Sequence, residues 1–356
     1  MGVYIAKRLL LILPTLLGIL VINFTIVQFA PGGPVEQALA QVSGLAGSTT
    51  SAISSSGTSP VSATGYTAGS GLDPAIVARI EKQFGFDKPA HERFLNMVAS
   101  YASFDLGESY FQDRPVAELI LERLPVSLSL GLWSLLAIYS ISIPLGIAKA
   151  VRDGQRFDVV TSAVVFTAYA VPGFLFALLL IVVFAGGSFL DWFPMRGLTS
   201  DNFSELSLWG QVKDYLWHLV LPLTALTIGG FATLTMLTKN SFLEEINKQF
   251  VLTARSKGLT ERRVLYGHVF RNAMLIVIAG FPAAFVGIIF TGALLIEVIF
   301  SLDGIGLLGY EAVLKRDYPI LFGTLFSFTL IGLVVQLIGD LIYALVDPRI
   351  DFEARS

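Results

Sequence analysis

The chain has 356 residues, of which 54% are hydrophobic and only 14% are charged, and its formal net charge is −3 at pH 7. This composition predicts an integral membrane protein, long enough for several spans and some structure outside the membrane. The small net charge gives no indication of nucleic-acid binding, and the absence of cysteine excludes disulfides, thiolate zinc sites and cysteine nucleophiles.

Six apolar runs reach about 20 residues, the length that crosses the hydrocarbon core of a bilayer. They cover residues 9–30, 125–148, 159–185, 218–238, 273–300 and 319–346. The first run begins at Lys7 and Arg8, but it is longer than the apolar core of a signal peptide, so we expect an uncleaved helix. The sequence therefore predicts an all-α polytopic membrane protein with six transmembrane helices.

The segment between the first two spans, residues 31–124, divides into two parts. Residues 43–71 are rich in Ser, Gly and Thr and lack periodicity, which predicts a flexible insert. Asp73-Pro74 and Pro89 then each precede a stretch with helical spacing. The apolar positions are Ile76, Val77, Ile80 and Phe84 in the first stretch, and Phe94, Met97 and Tyr101 in the second. We expect a small helical cap, outside a five-helix core that spans residues 125–346.

The distribution of Lys and Arg predicts the orientation, because loops on the cytoplasmic side carry an excess of both. The amino end holds two, the loop after the second span three, residues 240–272 six and the tail 347–356 two. The loops 186–217 and 301–318 hold two each. Both termini and the 240–272 loop are therefore predicted to be cytoplasmic, and the cap to lie on the other side.

The basic 240–272 loop is too short to be a domain, yet it has a regular pattern. Apolar residues recur at helical spacing and Gly258 interrupts the run near its middle, which predicts a helix–turn–helix. The apolar positions are Phe242, Ile246 and Phe250 before the turn, and Val264, Leu265 and Val269 after it. Such a shape suits binding by a soluble partner. Its basic side chains either contact acidic groups on that partner or lie among lipid headgroups.

No motif for catalysis or cofactor binding occurs in the sequence. The three histidines, His91, His218 and His268, fall in different predicted compartments, so they cannot share a metal ion. The phosphate-binding G-x-x-x-x-G-K-[ST] pattern is missing, as are G-x-S-x-G and H-E-x-x-H. We expect no enzyme activity, metal or cofactor in this chain. If it transports a solute, the energy comes from an ion gradient or from a separate ATPase.

Two acidic residues lie in the predicted spans, Glu297 late in the fifth and Asp340 late in the sixth. Each is either a helix-end carboxylate in headgroup or cavity water, or a polar group that lines a pathway or joins helices. Neither residue lies in mid-membrane, and neither has a second acid beside it. An ion-gradient carrier is therefore the weaker alternative. Small residues in the spans favour close helix packing, although a pathway-lining position stays open. These are Gly229, Gly230, Gly280 and Gly287.

Residues 249–278 resemble the coupling loop of permease subunits in binding-protein-dependent ABC importers. The form TARSKGL, followed by HVFRNA, is similar to the dipeptide and oligopeptide permease family, and within it to importers linked to oligopeptides and microcin C. Other stretches carry the same resemblance over nearly the whole chain. They include APGGP, FGFDKP, FDLGES, RLPVSLSLGL, EVIFSLDGIGLLGYEAV, KRDYPI and DPRID. The chain departs from the general motif at Leu252, where Glu is usual, and at Ile276, where Pro is usual.

The resemblance implies the type I permease fold of ABC importers and a multi-pass position in the inner membrane. It also implies three kinds of protein partner, in addition to lipid: a second permease in a heterodimer, two ATPase subunits or one fused ATPase, and a periplasmic substrate-binding protein. The residues implied in ATPase coupling are Thr253, Ala254, Arg255, Lys257, Gly258 and Leu259. Ala254 is small enough to let a helix lie close in a partner's groove, and Gly258 can adopt the backbone angles of a sharp turn.

Overall fold

A computed structural model describes residues 2–29, 87–187, 189–287 and 294–346 of the chain. Within these ranges the regular structure is helical, apart from one isolated bridge between Glu108 and Pro115. The helices, in chain order, are α1 (Gly2–Phe29), α2 (Ala90–Ala102), α3 (Val116–Val151), α4 (Arg156–Ala170), α5 (Gly173–Phe184), α6 (Leu208–Ile246), α7 (Gln249–Ser256), α8 (Glu261–Val264), α9 (Phe270–Gly287), α10 (Leu294–Ile299), α11 (Ile305–Lys315) and α12 (Tyr318–Val346). The predicted insert 43–71, the helix after Asp73 and the tail 347–356 lie outside the described residues.

Five helical segments of the described chain are long and apolar enough to cross a membrane. They are Ile5–Ile26, Val116–Val151, Leu208–Ile246, Glu261–Gly287 and Tyr318–Ile342. The bent pair of α4 and α5 makes a sixth if the two helices are counted as one span. These segments correspond to the six apolar runs in the sequence, although several helices continue beyond the runs at one or both ends.

The third predicted span, residues 159–185, is not a continuous helix. α4 and α5 meet at an angle of 92° at Val171 and Pro172. Proline lacks an N–H and pushes the preceding residue out of the helical region, and Val171 has extended angles of φ −84° and ψ 118°. The sequence predicted a span here from its apolar composition, and composition alone does not show the break within it.

The contacts of the chain define two compact units. The larger unit comprises Met1–Leu9, Arg123–Leu307 and Leu330–Ser356. One of its cores joins α3, α5, α6 and α10 through buried residues such as Leu130, Leu180 and Leu219. A second core joins the ends of α3 and α6 to the segment that follows α6.

The smaller unit comprises Leu10–Glu122 and Leu308–Thr329. α2 carries Tyr101, which is 5% exposed and packs edge-on against Phe326 with ring centroids 5.1 Å apart. Phe24 of α1 packs in the same manner against Phe94, at 5.3 Å. In this unit the amphipathic stretch after Pro89 is therefore a helix with its aromatic side chains turned inward.

Candidate functional site

The 240–272 loop contains two short helices and a tight turn. α6 continues to Ile246, and α7 starts after Lys248, whose extended backbone (φ −76°, ψ 152°) breaks the helix. The predicted helix before the turn is thus divided in two. The second break lies at Gly258, where φ is +76° and the N–H donates to the Arg255 carbonyl at 2.9 Å. A positive φ favours glycine, so Gly258 is suited to this turn by its backbone.

One face of α7 packs against the ends of α3 and α6. Val251 is fully buried and Ala254 is 6% exposed, and both belong to a core with Ile147 and Ala150 of α3 and Phe242 of α6. Within this chain, the small side chain of Ala254 lets α7 lie close to the ends of α3 and α6. That it also lets α7 lie close in a partner's groove stays a prediction. The apolar positions of the sequence pattern, among them Val264 and Val269, belong to the same core.

The other face of α7 is exposed, from Leu252 and Thr253 to Lys257 in the turn. Leu252 is 57% exposed, so the residue that replaces the usual Glu presents an apolar side chain to the surroundings. Arg255 donates to both carboxylate oxygens of Glu261, at 2.9 and 3.0 Å. This ion pair is exposed and spans the turn, so it orients α8 against α7 more than it stabilises the fold. The positive charge of Arg255 is therefore already balanced within the loop.

The loop joins the fifth span through a π-helical turn, Leu265–Val269, between α8 and α9. Such turns insert one extra residue into a helix and change the direction of the side chains that follow. The sequence lacks the usual proline at Ile276, which is 51% exposed on α9. In this chain the π-turn is therefore the irregularity at which the loop enters the span.

Glu297 is fully buried and its carboxyl group makes fixed contacts. It accepts hydrogen bonds from Ser127 Oγ at 2.9 Å and from the Leu307 N–H at 2.8 Å. The alternative of a carboxylate in headgroup or cavity water is wrong for this residue. Asp340 lies 2.7 Å from the Arg8 guanidinium, with both side chains partly exposed, so this ion pair joins α12 to the amino-terminal end of α1.

The four glycines of the spans do not have one role. A side chain at Gly230 would lie 2.6 Å from Ile138 Cδ1, so that glycine allows close packing of α6 on α3. A side chain at Gly229 or Gly280 would have no neighbour within 4 Å. Both line a cavity of about 460 Å³, with Gly287 and apolar residues of α3, α6 and α9. Tyr139 and Tyr169 also line it.

A buried charge cluster at the ends of α3, α4 and α6 was missed by the sequence analysis. Lys149, which the charge count treated as a loop residue, is fully buried. Its Nζ lies 3.0 Å from Asp158 Oδ1, and Lys239 Nζ lies 2.7 Å from Asp158 Oδ2 and 2.8 Å from Asp153 Oδ1. The sequence offers one indication of this cluster, which is Lys239 directly after the apolar run 218–238. Ionisable groups in spans are rarely without a partner.

Comparison with known proteins shows the family to which this chain belongs. Residues 142–352 match the family described as the binding-protein-dependent transport system inner membrane component. The chain belongs to this family. It is 60% identical over 363 residues to the peptidoglycan transport system permease protein YejB of Agrobacterium fabrum, with all of both chains covered. It is 57% identical, again over the full length of both chains, to the inner membrane ABC transporter permease protein YejB of Escherichia coli O157:H7.

More distant relatives include the dipeptide transport system permease protein DppB of Escherichia coli K12. That protein is 29% identical over 365 residues, with 98% of each chain covered. Among solved structures, the inward-facing MetNI methionine ABC transporter is similar, with a TM-score of 0.51 and 16% identity over 65% of this chain and 97% of that one. The prediction of an ABC importer permease fold is confirmed. The chain is a multi-pass membrane component of a transport system.

Proposed function

We propose that this chain is the permease subunit of an ATP-driven importer that moves oligopeptides or peptide-like compounds across the inner membrane. The observation that carries the proposal is the helix–turn–helix after α6, which consists of α7, the Gly258 turn and α8. One face of α7 packs against the ends of α3 and α6, and its other face, from Leu252 to Lys257, is exposed. A short helix held rigidly to the spans, with a free outer face, is suited to transmit the movement of a soluble ATPase.

The chemistry of the substrate is supported by the names of the relatives. These names refer to peptidoglycan and dipeptide transport. Peptidoglycan contains short peptides, so a peptide moiety is common to both. Microcin C is a candidate because it is peptide-like, and it rests on the resemblance of the sequence alone.

In the proposed mechanism, ATP binding closes two ATPase subunits or the two halves of a fused ATPase. α7 moves with the ATPase groove that holds it, and the ends of α3 and α6 follow because they share a core with α7. The spans then alternate between inward-facing and outward-facing states. A second permease completes the pathway, and a periplasmic binding protein delivers the substrate to the side opposite α7.

Two cavities fit this mechanism. The cavity of about 460 Å³ lined by Gly229 and Gly280 is a candidate part of the pathway, because its largely apolar lining, with two tyrosines, suits a peptide with mixed side chains. A recess of about 390 Å³ lies beside α7, with Val151, Tyr266 and Arg262 among its lining residues. This recess adds apolar and basic surface to the exposed face of α7.

Cross-linking in the intact importer tests the proposal. The sequence has no cysteine, so Thr253→Cys introduces a single thiol on the exposed face of α7. We expect it to form a cross-link with a cysteine placed in the groove of the partner ATPase, and the yield to change with ATP. Uptake by proteoliposomes should require ATP and the binding protein. Uptake that persists without any ATPase subunit, driven by an ion gradient, would refute the proposal.

Competition identifies the substrate class. A labelled oligopeptide serves as the transported probe, with unlabelled oligopeptide, peptidoglycan-derived muropeptide and microcin C as competitors. A compound that shares the pathway lowers the uptake of the probe. Failure of all three, or of the probe itself to enter, would leave the ATP-driven mechanism standing but would remove the peptide assignment.

A further inference from the structure

The larger unit contains four charged side chains that form one connected set, which we call the Asp158 network: Lys149, Asp153, Asp158 and Lys239. Lys149 is on α3, Lys239 is on α6, Asp158 is in the first turn of α4, and Asp153 is in the turn between α3 and α4. Two lysines face two aspartates, so the formal charges of the set cancel. Charges taken out of water in this way persist only while they stay paired.

The network is built with more contacts than charge pairing alone requires. Lys149 Nζ also donates to the Asp158 carbonyl at 3.0 Å, to Thr161 Oγ1 at 2.9 Å and to Ser162 Oγ at 2.6 Å. The N–H of Gly154, whose φ is +71°, donates to Asp158 Oδ2 at 3.2 Å. Lys149 thus holds the first turn of α4 through both its backbone and its side chains. This geometry fixes the start of α4 to α3.

α4 packs along α6 with one side only. Of its residues, only Asp158 and Val165 are buried. Val159, Val160 and Val164 are each about 60% exposed, as expected of a helix that faces lipid or a partner. At its first turn, the Asp158 network is the polar part of the contact that holds α4 to α3 and α6.

The same helix ends carry α7. Lys149 lies between Ile147 and Ala150 in the sequence of α3, and Phe242 lies three residues after Lys239 on α6. Ile147, Ala150 and Phe242 pack in one core with Val251 and Ala254 of α7. The ends of α3 and α6 are therefore bound to α7 through apolar contacts and to α4 through charged ones.

The far end of α4 reaches the cavity of the spans. Tyr169, in its last turn, lines the cavity with Gly229, Gly230 and Gly280. A continuous set of contacts therefore runs from α7 through the ends of α3 and α6 to the Asp158 network, and along α4 to the cavity wall.

On the basis of the proposed function, we infer that the Asp158 network makes α4 move with α7, so that ATP-driven movement of α7 displaces the cavity wall at Tyr169. Lys149, Asp158 and Lys239 are positioning residues in this inference, since they act through α4 and touch neither substrate nor nucleotide. Without the network the ATPase would still turn over on α7, but its movement would reach α4 poorly. The consequence is hydrolysis with little transport.

The test uses the intact importer reconstituted in proteoliposomes, with the labelled oligopeptide as probe, and measures transported probe per ATP hydrolysed. Lys239→Met removes one cation and leaves the Lys149–Asp158 pair in place. We expect this variant to retain ATP hydrolysis and the Thr253→Cys cross-link. The transport-to-hydrolysis ratio should fall about fivefold or more, since fivefold is the lower end of the usual effect of coupling between two sites. Lys239→Arg, which can still bind both aspartates, should restore the ratio.

Matched variants separate this role from general destabilisation. Lys213→Met removes an exposed lysine near the start of the same helix, α6, and it should leave the ratio unchanged. Asp153→Asn removes only the half-exposed partner of Lys239, so it carries little risk of misfolding and should lower the ratio less than Lys239→Met does.

Two results would overturn the inference. The first is an unchanged ratio in both Lys239→Met and Asp153→Asn. The second is a loss of transport and ATP hydrolysis in equal proportion, seen both in Asp153→Asn and in Lys239→Arg. Absence of the Thr253→Cys cross-link in the otherwise unaltered chain would instead refute the proposed function, so the two failures are distinguishable.

Discussion

The carboxyl group of Glu297 and the hydroxyl of Ser127 together accept hydrogen bonds at the start of α11. Ser127 Oγ accepts from the Ile305 N–H at 2.9 Å, while Glu297 accepts from the Leu307 N–H at 2.8 Å. The first N–H groups of a helix have no partner within the helix, and buried ones must find a partner elsewhere. Glu297 and Ser127, which belong to α10 and α3, therefore cap a third helix.

This arrangement predicts the effect of Glu297→Ala. The change removes the acceptor of the Leu307 N–H and the partner of Ser127 in a site without water contact, and each unpaired buried group costs about 1–3 kcal/mol. We expect lower thermal stability of the detergent-purified chain and lower abundance in the membrane. Glu297→Gln retains one oxygen for the Leu307 N–H and should lose less stability.

Gly304→Ala provides an independent check of the same contact. A Cβ at this position would overlap the Glu297 carboxyl group. The change should destabilise the normal chain strongly and the Glu297→Ala chain less, with a coupling energy of about 0.5–3 kcal/mol for two groups in contact. Strictly additive effects would show that Glu297 does not lie against this turn.

The α7 turn depends on the backbone of Gly258 and not on its surroundings. A side chain there would have no neighbour within 4 Å, but φ is +76°. An L residue in the left-handed region costs about 1–2 kcal/mol. We therefore expect Gly258→Ala to lower uptake moderately, while Gly258→Pro, which fixes φ near −65° and removes the N–H that binds the Arg255 carbonyl, should abolish uptake.

The comparison needs equal amounts of protein in the membrane. Uptake by cells is measured together with membrane abundance, which should stay normal in both variants because the spans are unaltered. Gly267→Ala is the matched control, since this glycine lies in the same loop without a positive φ and has space for a side chain. Normal uptake by Gly258→Pro would mean that this turn is not the coupling element.

Neighbouring glycines of α6 should give opposite results. Gly229 faces the cavity, so Gly229→Phe should fold normally and fill part of that space, which lowers uptake at normal abundance. Gly230 lies against Ile138 of α3, so Gly230→Phe would force a ring into that contact and should lower thermal stability, as expected of overpacking by about 1–3 kcal/mol. Transport by Gly229→Phe at the normal rate would exclude this cavity from the pathway.

Much of the molecule follows from composition and periodicity, because a membrane span needs only a long apolar run. The six runs and the Gly258 turn could be predicted on that basis. The bend at Val171 was also accessible, since a residue before proline favours extended angles, but a hydropathy run does not register it. The break before α7 carries no glycine or proline, and only the structure shows it.

The orientation of single side chains could not be predicted in the same way. Ala254 turns inward because α7 packs on α3, a contact between segments about a hundred residues apart in sequence. Lys149 and Glu297 are buried for a related reason, since their partners lie on other helices. A charge count or a span boundary contains no information on such pairs.

The orientation of the whole chain in the membrane can be tested because the sequence has no cysteine. Single thiols are introduced at Lys257, in the α7 turn, and at Asp201, between α5 and α6; both positions are exposed. The excess of Lys and Arg around α7 predicts that Lys257 is cytoplasmic and Asp201 is on the opposite side. A membrane-impermeant maleimide added to intact spheroplasts should therefore label Asp201→Cys at once and Lys257→Cys only after permeabilisation. Labelling of Lys257→Cys in intact spheroplasts would place α7 on the side away from any ATPase, and the proposed coupling would then be impossible.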